Sequence, residues 1–423
     1  MSTISPVTGF IRAMRHRHYR NYTLGSVLSL IGTWTHRVAL GWLAWKLTGS
    51  YAWLGVIAFA DMFMMMLFSP LAGDLADRMD RRRVAYWSQF AMMCQSIAIA
   101  LLVFTGLIGI WLLLGLTLLL GMMHAYHTAS RLAMVPNLVP EEDLTPAVAI
   151  NSLIFNVARF LGPAVAGLII ANFGVGPAFV FNAMTFIVFL VVLGRLELLR
   201  MEHRPSPGKG VFSNIADGVR YAAEHPGIGP LLVMLTVTAF AARSLPDLLP
   251  GFADAVFQRG PEGFAWLTSM MGLGAMLSGF VFLARDGVLG MTAMVLHCMV
   301  LLGIAIIVFV SLDTFRVGLV MIAGIGFFMN LNSTGVLNLM QNVVEGTLRG
   351  RVMSIYAFLY QGAPAVGTLL IGTIAEHTGL AWPVAAAGLL GIALWLAMLP
   401  RLGSMVAALE GVGRPAVQEG TGP

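Results

Sequence analysis

The sequence predicts an all-α membrane protein of twelve transmembrane helices in two pseudo-symmetric six-helix bundles. Three observations predict it: an apolar excess, a succession of apolar runs of spanning length, and basic residues gathered in alternate loops.

Of the 423 residues, 58% are hydrophobic and 11% charged, whereas an average soluble domain is about 25% charged. So little charge cannot cover a water-facing surface, and the bilayer becomes the relevant solvent. The two cysteines, Cys94 and Cys298, lie in apolar stretches and support neither a disulfide framework nor a cysteine metal site. The first long apolar run follows a basic, aromatic segment and is long enough to span. It is therefore expected to stay as a helix rather than be removed as a signal.

Apolar runs bounded by charge, glycine or proline place helices at 22–45, 51–72, 84–106, 108–130, 147–171 and 175–196. A second set falls at 228–250, 262–284, 288–310, 315–338, 352–375 and 380–400. Between the sets, 197–227 is polar, holds Pro205, Pro207 and Gly208, and carries a short amphipathic stretch around Phe212, Ile215 and Val219. The expected organisation is an N-terminal segment 1–21, a bundle 22–196, a linker 197–227, a second bundle 228–400 and a tail 401–423.

Lys and Arg resist translocation and mark the cytoplasmic side. With the N-terminus inside, inner segments hold nineteen of the 25 basic residues; outer segments hold Lys46, Arg259 and Arg316, and Arg37, Arg159 and Arg243 fall within spans. The expectation is a multi-pass protein of the plasma membrane with both termini cytoplasmic. The net charge of +5 belongs to this loop pattern and implies no nucleic acid.

The two sets repeat each other. Val139, Glu141, Leu144 and Val148 before the fifth span match Val343, Glu345, Leu348 and Val352 before the eleventh. Pro163-Ala164-Val165 matches Pro364-Ala365-Val366 in the same register.

Between spans 2 and 3 runs Gly73-Asp74-Leu75-Ala76-Asp77-Arg78-Met79-Asp80-Arg81-Arg82-Arg83. Small residues allow adjacent helix ends to approach, Asp77 suits helix N-terminal amides, and the arginines suit an anionic lipid surface. On charge alone this is a positive-inside loop. Its order, G-x-L-x-D-R-x-x-R-R-R, resembles the loop between helices 2 and 3 of the major facilitator superfamily, with Asp80 where many members have Gly. Further stretches resemble the superfamily's enterobactin-exporter and drug-exporter branch: Gly32 to Leu43, Ala129-Ser130-Arg131, Asn151 to Pro163, and Gly218 to Pro226. The resemblance runs from about Phe10 to Leu399 and implies the major facilitator fold. It implies a conformational latch at Asp77, in the company of Gly73, Arg78, Arg81 and Arg131. It also implies a central cavity lined mainly by helices 1, 4, 7 and 10.

Intramembrane charges are costly and usually pair or line water. Asp61 in span 2 and Arg37 in span 1 lie at similar distances from their connecting turn, so their depths match. Two readings stand: a static Arg37–Asp61 bridge, or a protonatable coupling site at Asp61. Arg159 precedes Gly162, Pro163, Ala166 and Gly167, a pattern similar to the superfamily's helix 5 antiporter motif and also one that permits close helix packing. Arg243 and Asp247 are one turn apart with Pro246 between them, which suits a local bridge or a substrate contact. Cavity candidates are Thr33, His36, His127, Asn156, Asn330, Asn332, Tyr356, Tyr360 and Gln361; these face either the cavity or neighbouring helices. His124 and His127 share a helix face, but no carboxylate or cysteine stands at a spacing that would complete a metal site. Met62 and Met64 to Met66 suit an adaptable apolar lining or lipid-facing packing.

No P-loop or other nucleotide signature is present. The expected function is secondary transport by alternating access, as a proton-coupled exporter of small amphiphilic molecules such as drugs, siderophores or metabolites. The expected protein is a monomer without a cofactor. A metabolite importer or facilitator is the near alternative. A polytopic lipid-modifying enzyme at His124 and His127 lacks a nucleophile or paired carboxylates there, and retained cavity polarity argues against a transport-dead scaffold.

Overall fold

The structure is a computed structural model. It describes residues 6–196, 211–285, 287–344 and 346–411, with the side chains of 6–9, 76–77, 211–217, 283 and 346–347 left out. The linker stretch 197–210 and the side chain of Asp77 thus lie outside the described residues.

Among the described residues, eleven long helices and a broken seventh span occupy the expected positions. A short α1 (Pro6–Arg15) precedes α2 (Arg17–Thr48), α3 (Tyr51–Arg78), α4 (Arg81–Phe104), α5 (Ile110–Met134), α6 (Leu144–Phe173) and α7 (Gly176–Gly194). After α8 (Val211–Glu224) come α9 (Ile228–Ala242) and α10 (Leu245–Gly251), which continues into a π-helical turn Phe252–Val256. The set closes with α11 (Gly260–Leu283), α12 (Met291–Ser311), α13 (Phe315–Val343), α14 (Gly346–Thr378), α15 (Ala381–Met398) and α16 (Leu402–Glu410). Among the described residues, eleven spans are long and apolar enough to cross a membrane by length and composition. The twelfth is α2, whose 32 residues include Asn21, Ser26, Ser29, Thr33, His36 and Arg37. The fold is an all-α membrane protein.

Span 7, expected as one helix over 228–250, is broken. α9 ends at Ala242, and Arg243 and Ser244 form a bend before α10. Pro246 explains the break, because it lacks an N–H for the carbonyl of Ala242 and its ring crowds that carbonyl. At Val219, expected on the apolar face of the linker stretch, the side chain is exposed.

Helix pairings recur between the two sets. In the first, α2 packs on α6 and α7, α3 on α5, and α4 on α5 and α7. In the second, α9 packs on α15, and α12 on α13 and α15. Glycines set the closest approaches. A Cβ at Gly162 of α6 would collide with Trp34 of α2, and one at Gly367 of α14 would stand 2.5 Å from the Phe240 carbonyl of α9. Likewise a Cβ at Gly121 of α5 would strike the Asp61 carbonyl of α3, and one at Gly274 of α11 the Ala323 carbonyl of α13.

By contacts the chain gathers into two compact units. Unit 1 comprises Met1–Pro207, Pro246–Gly272 and Thr368–Leu380; unit 2 comprises Gly208–Leu245, Leu273–Gly367 and Ala381–Pro423. In unit 1 the chain start is tied to α6: Arg12 and His16 both bond Asp143, and the Tyr19 hydroxyl donates to the Ala147 carbonyl at 2.9 Å. In unit 2, α16 follows span 12 and its Glu410, 7% exposed, accepts from the backbone N–H groups of Gly290 (2.6 Å) and Thr292 (2.8 Å). A carboxylate there caps the positive end of α12.

Candidate functional site

In unit 1, Arg37 donates from Nη2 to Asp247 Oδ1 at 3.3 Å. Its guanidinium lies 5.7 Å from the centre of the Trp34 ring, and that of Arg159 lies 5.7 Å from the same ring. The expected Arg37–Asp61 bridge is therefore not formed. Asp61 instead faces His124 Nδ1 of α5 at 3.4 Å. Depth cannot choose among lateral neighbours, and the break at Pro246 turns Asp247 to Arg37.

His36, 3% exposed, belongs to a buried polar cluster among α2, α4 and α7. Its Nδ1 stands 3.2 Å from Ser96 Oγ and 3.3 Å from the Asn182 amide nitrogen. Asn182 donates to Ser96 at 3.1 Å, and Ser96 donates to the Phe179 carbonyl at 2.9 Å. The His36 Nε2 and Asn182 Oδ1 atoms are buried without a partner. Gly32 lets this cluster close, because a Cβ there would collide with Thr185 and reach within 2.8 Å of Asn182 Oδ1.

The other expected site residues of unit 1 divide by partner. Thr33 donates to the Ser29 carbonyl at 2.9 Å and Asn156 to the Ser152 carbonyl at 3.0 Å, each within its own helix. His127 is half-buried, its Nδ1 without a partner and its ring 6.3 Å from Phe189. Arg131 is 9% exposed and donates to Ser26 Oγ at 3.2 Å. Arg81 donates to the Ala133 carbonyl at 3.1 Å, and Arg78 pairs with Asp74 at 2.9 Å. At Gly73 a Cβ would meet nothing within 4 Å, so the close helix approach expected there is absent at this position. In α6, Pro163 is buried, Thr35 donates to the Gly162 carbonyl at 3.1 Å, and a Cβ at Gly167 would collide with Ala265.

The end of unit 1 that carries the α2–α3 connection holds a polar seam. Trp45 Nε1 donates to Asp254 at 2.9 Å, and Glu376 accepts from Ser50 Oγ at 2.9 Å and from the Ala52 N–H at 3.2 Å. Backbone packs on backbone beside it. A Cβ at Gly55 would lie 2.7 Å from the Thr368 carbonyl, and one at Gly372 would collide with that of Tyr51.

In unit 2, Arg243 donates from Nη1 to the Tyr360 hydroxyl at 2.5 Å, and its guanidinium lies 3.8 Å from the Tyr360 ring centre. Tyr356, 8% exposed, stacks on Tyr360 at 5.5 Å and 16°. The local Arg243–Asp247 bridge is thus replaced, because the bend at 243–244 takes the two residues off one continuous helix. Asn330 donates to the Ala275 carbonyl (3.1 Å) and Ser278 Oγ (2.8 Å) of α11. Asn332, fully buried, donates to the Val295 carbonyl of α12 at 3.0 Å. Both asparagine amides therefore bind neighbouring helices here. Gln361 is half-buried.

Sequence reasoning missed Asp254, Glu376, Ser96 and Asn182. Each is polar and falls within or at the end of an apolar run, the one signal available; its partner lies too far along the chain for spacing to show.

A half-buried acid–imidazole pair can take up and release protons, and a guanidinium without a carboxylate can hold an oxyanion. With eleven helices of spanning length and composition among the described residues, the chain is a multi-pass membrane protein, and its family model makes it a transporter of the major facilitator superfamily that handles small molecules. Residues 8–415 match the model for transmembrane secretion effectors, and the chain belongs to that family. It is 26% identical over 359 residues to the staphyloferrin A transporter of Staphylococcus aureus (strain NCTC 8325 / PS 47), covering 84% of this chain and 89% of that protein. It is 24% identical over 355 residues to the multidrug efflux pump Tap of Mycolicibacterium fortuitum, covering 81% and 85%. With macrolide efflux protein A of Streptococcus pyogenes it shares 21% over 369 residues, covering 85% and 90%. Among solved structures, a bacterial homologue of the iron transporter ferroportin in an inward-facing state matches with a TM-score of 0.68 at 17% identity, covering 90% of this chain and 98% of that one. The nucleoside transporter NupG matches with a TM-score of 0.67 at 11% identity, covering 91% and 99%. These structural likenesses show the fold.

Proposed function

We propose that this chain is a proton-coupled antiporter of the plasma membrane that exports small amphiphilic molecules by alternating access, as a monomer with both termini cytoplasmic. The observation that carries the reading is the Asp61–His124 pair, two titratable groups 3.4 Å apart in membrane-spanning helices. An isolated charge at the bilayer centre costs about 2.5–3.5 kcal/mol. One proton shared by the pair keeps its net charge at zero, and a second makes it cationic, within the same unit as the cation Arg37. Proton uptake therefore changes the balance that holds Arg37 against Asp247.

Relatives named as multidrug and macrolide efflux proteins support the outward direction. The strong bias of basic residues toward one set of loops supports the orientation. The loop from Gly73 to Arg83 supports a latch at Asp77, with Gly73, Arg78, Arg81 and Arg131 around it.

The test uses proteoliposomes with an imposed pH gradient and a panel of fluorescent amphiphiles of each charge. Asp61→Asn is expected to lose gradient-driven accumulation while gradient-free counterflow persists. Full dependence on the pH gradient in this variant would remove Asp61 from coupling.

A further inference from the structure

Arg243 differs from the arginines that the chain pairs with acids, and unlike Arg131 and Arg81, which donate to neutral oxygens, it also lies over an aromatic ring. Arg37 has Asp247, Arg12 has Asp143 and Arg78 has Asp74. Arg243 has no acidic partner among the described residues. One of its N–H groups is engaged, by the Tyr360 hydroxyl, and its Nε is buried without a partner.

A cation in a membrane span is costly unless it is compensated, and the ring beneath it supplies only part of that compensation. The guanidinium is a rigid planar fork whose N–H pairs match the two oxygens of a carboxylate. Here the fork is fixed in orientation: Tyr360 lies 3.8 Å below it and holds one nitrogen, and Tyr356 stacks behind Tyr360 with its ring nearly parallel. Arg243 is the last residue of the α9 ladder, its N–H bonded to the Ala239 carbonyl at 3.2 Å just before the bend, and the residue is only half-buried. The cluster thus joins a pre-oriented oxyanion receptor to a flat aromatic wall, all within unit 2.

Resting on the transport reading above, we infer that Arg243, with Tyr360 and Tyr356, binds the carboxylate of an anionic amphiphile, and that this chain prefers acids to their neutral analogues. The bound carboxylate supplies the counter-charge that the described residues do not. The body of the substrate lies against the tyrosine pair.

The test is equilibrium binding to the full-length protein in nanodiscs, by calorimetry, with no proton gradient. The probes are 1-naphthylacetate and its amide, which share a flat apolar body and differ in charge. The wild type is expected to bind the acid about tenfold or more tightly than the amide. Arg243→Gln is expected to lose that preference, Arg243→Lys to keep part of it, and Tyr360→Phe to weaken acid binding while leaving amide binding unchanged. Equal affinity for acid and amide, no measurable binding of the acid, or an undiminished preference in Arg243→Gln overturns the inference. The wild-type comparison stands even where a variant does not fold. Because no gradient is used, loss of proton coupling in the transport assay leaves this result untouched.

Discussion

In unit 1 the cation Arg37 has a carboxylate at 3.3 Å and the acid Asp61 an imidazole at 3.4 Å. In unit 2 the cation Arg243 has a phenol and its ring, and no acid among the described residues. The repeated helix pairings make this contrast informative, since similar scaffolds carry the two arrangements. A charge already balanced by the chain can titrate or hold helices together. A charge left unbalanced is poised for a partner that arrives from elsewhere. Under the proposed function, proton sensing and cargo recognition would be divided between different side-chain sets.

The largest effect that sharpens the contrast comes from breaking the pair in unit 1. Asp247→Asn leaves Arg37 without its carboxylate and is expected to cost about 1–2 kcal/mol. That is below the loss for a fully buried pair because the Arg37 side chain is 35% exposed and can turn toward water. Thermal unfolding in detergent checks it, and the double change Arg37→Met with Asp247→Leu should regain much of the loss. A smaller effect is expected at the cap of α12: Glu410→Gln keeps an acceptor but removes the charge, for about 1 kcal/mol. The smallest is expected at Arg243. Arg243→Gln without ligand should leave the unfolding temperature unchanged or raise it, since no ion pair among the described residues is lost. A drop as large as that of Asp247→Asn would break the contrast.

Much of the fold was legible, because spanning length and apolar composition leave a local trace. Even α2 could be placed despite its polar residues, from its flanks and the turn at Thr48 and Gly49. The break in α9 was partly legible, as Pro246 marks it, but Arg243 and Asp247 still read as neighbours on one helix. The partners of the buried charges were not legible. Asp61 and His124 are 63 residues apart and Arg37 and Asp247 are 210 apart; lateral order within a bundle leaves no mark in spacing. His124 itself was visible, but with His127 it read as a wall or gate residue, because the acid that answers it lies on another helix. Asn330 and Asn332 show the same limit: their polarity was plain, and only packing reveals that their amides bind α11 and α12.

The main-chain seam at Gly55 and Gly372 carries a consequence for how such a protein can change. Where peptide groups meet each other directly, the fit depends on two missing side chains and hardly at all on what lines the interior. Residues that choose cargo can therefore be exchanged freely while the mating of those two ribbons stays intact, whereas a single added methyl at either glycine pries them apart whatever the cargo.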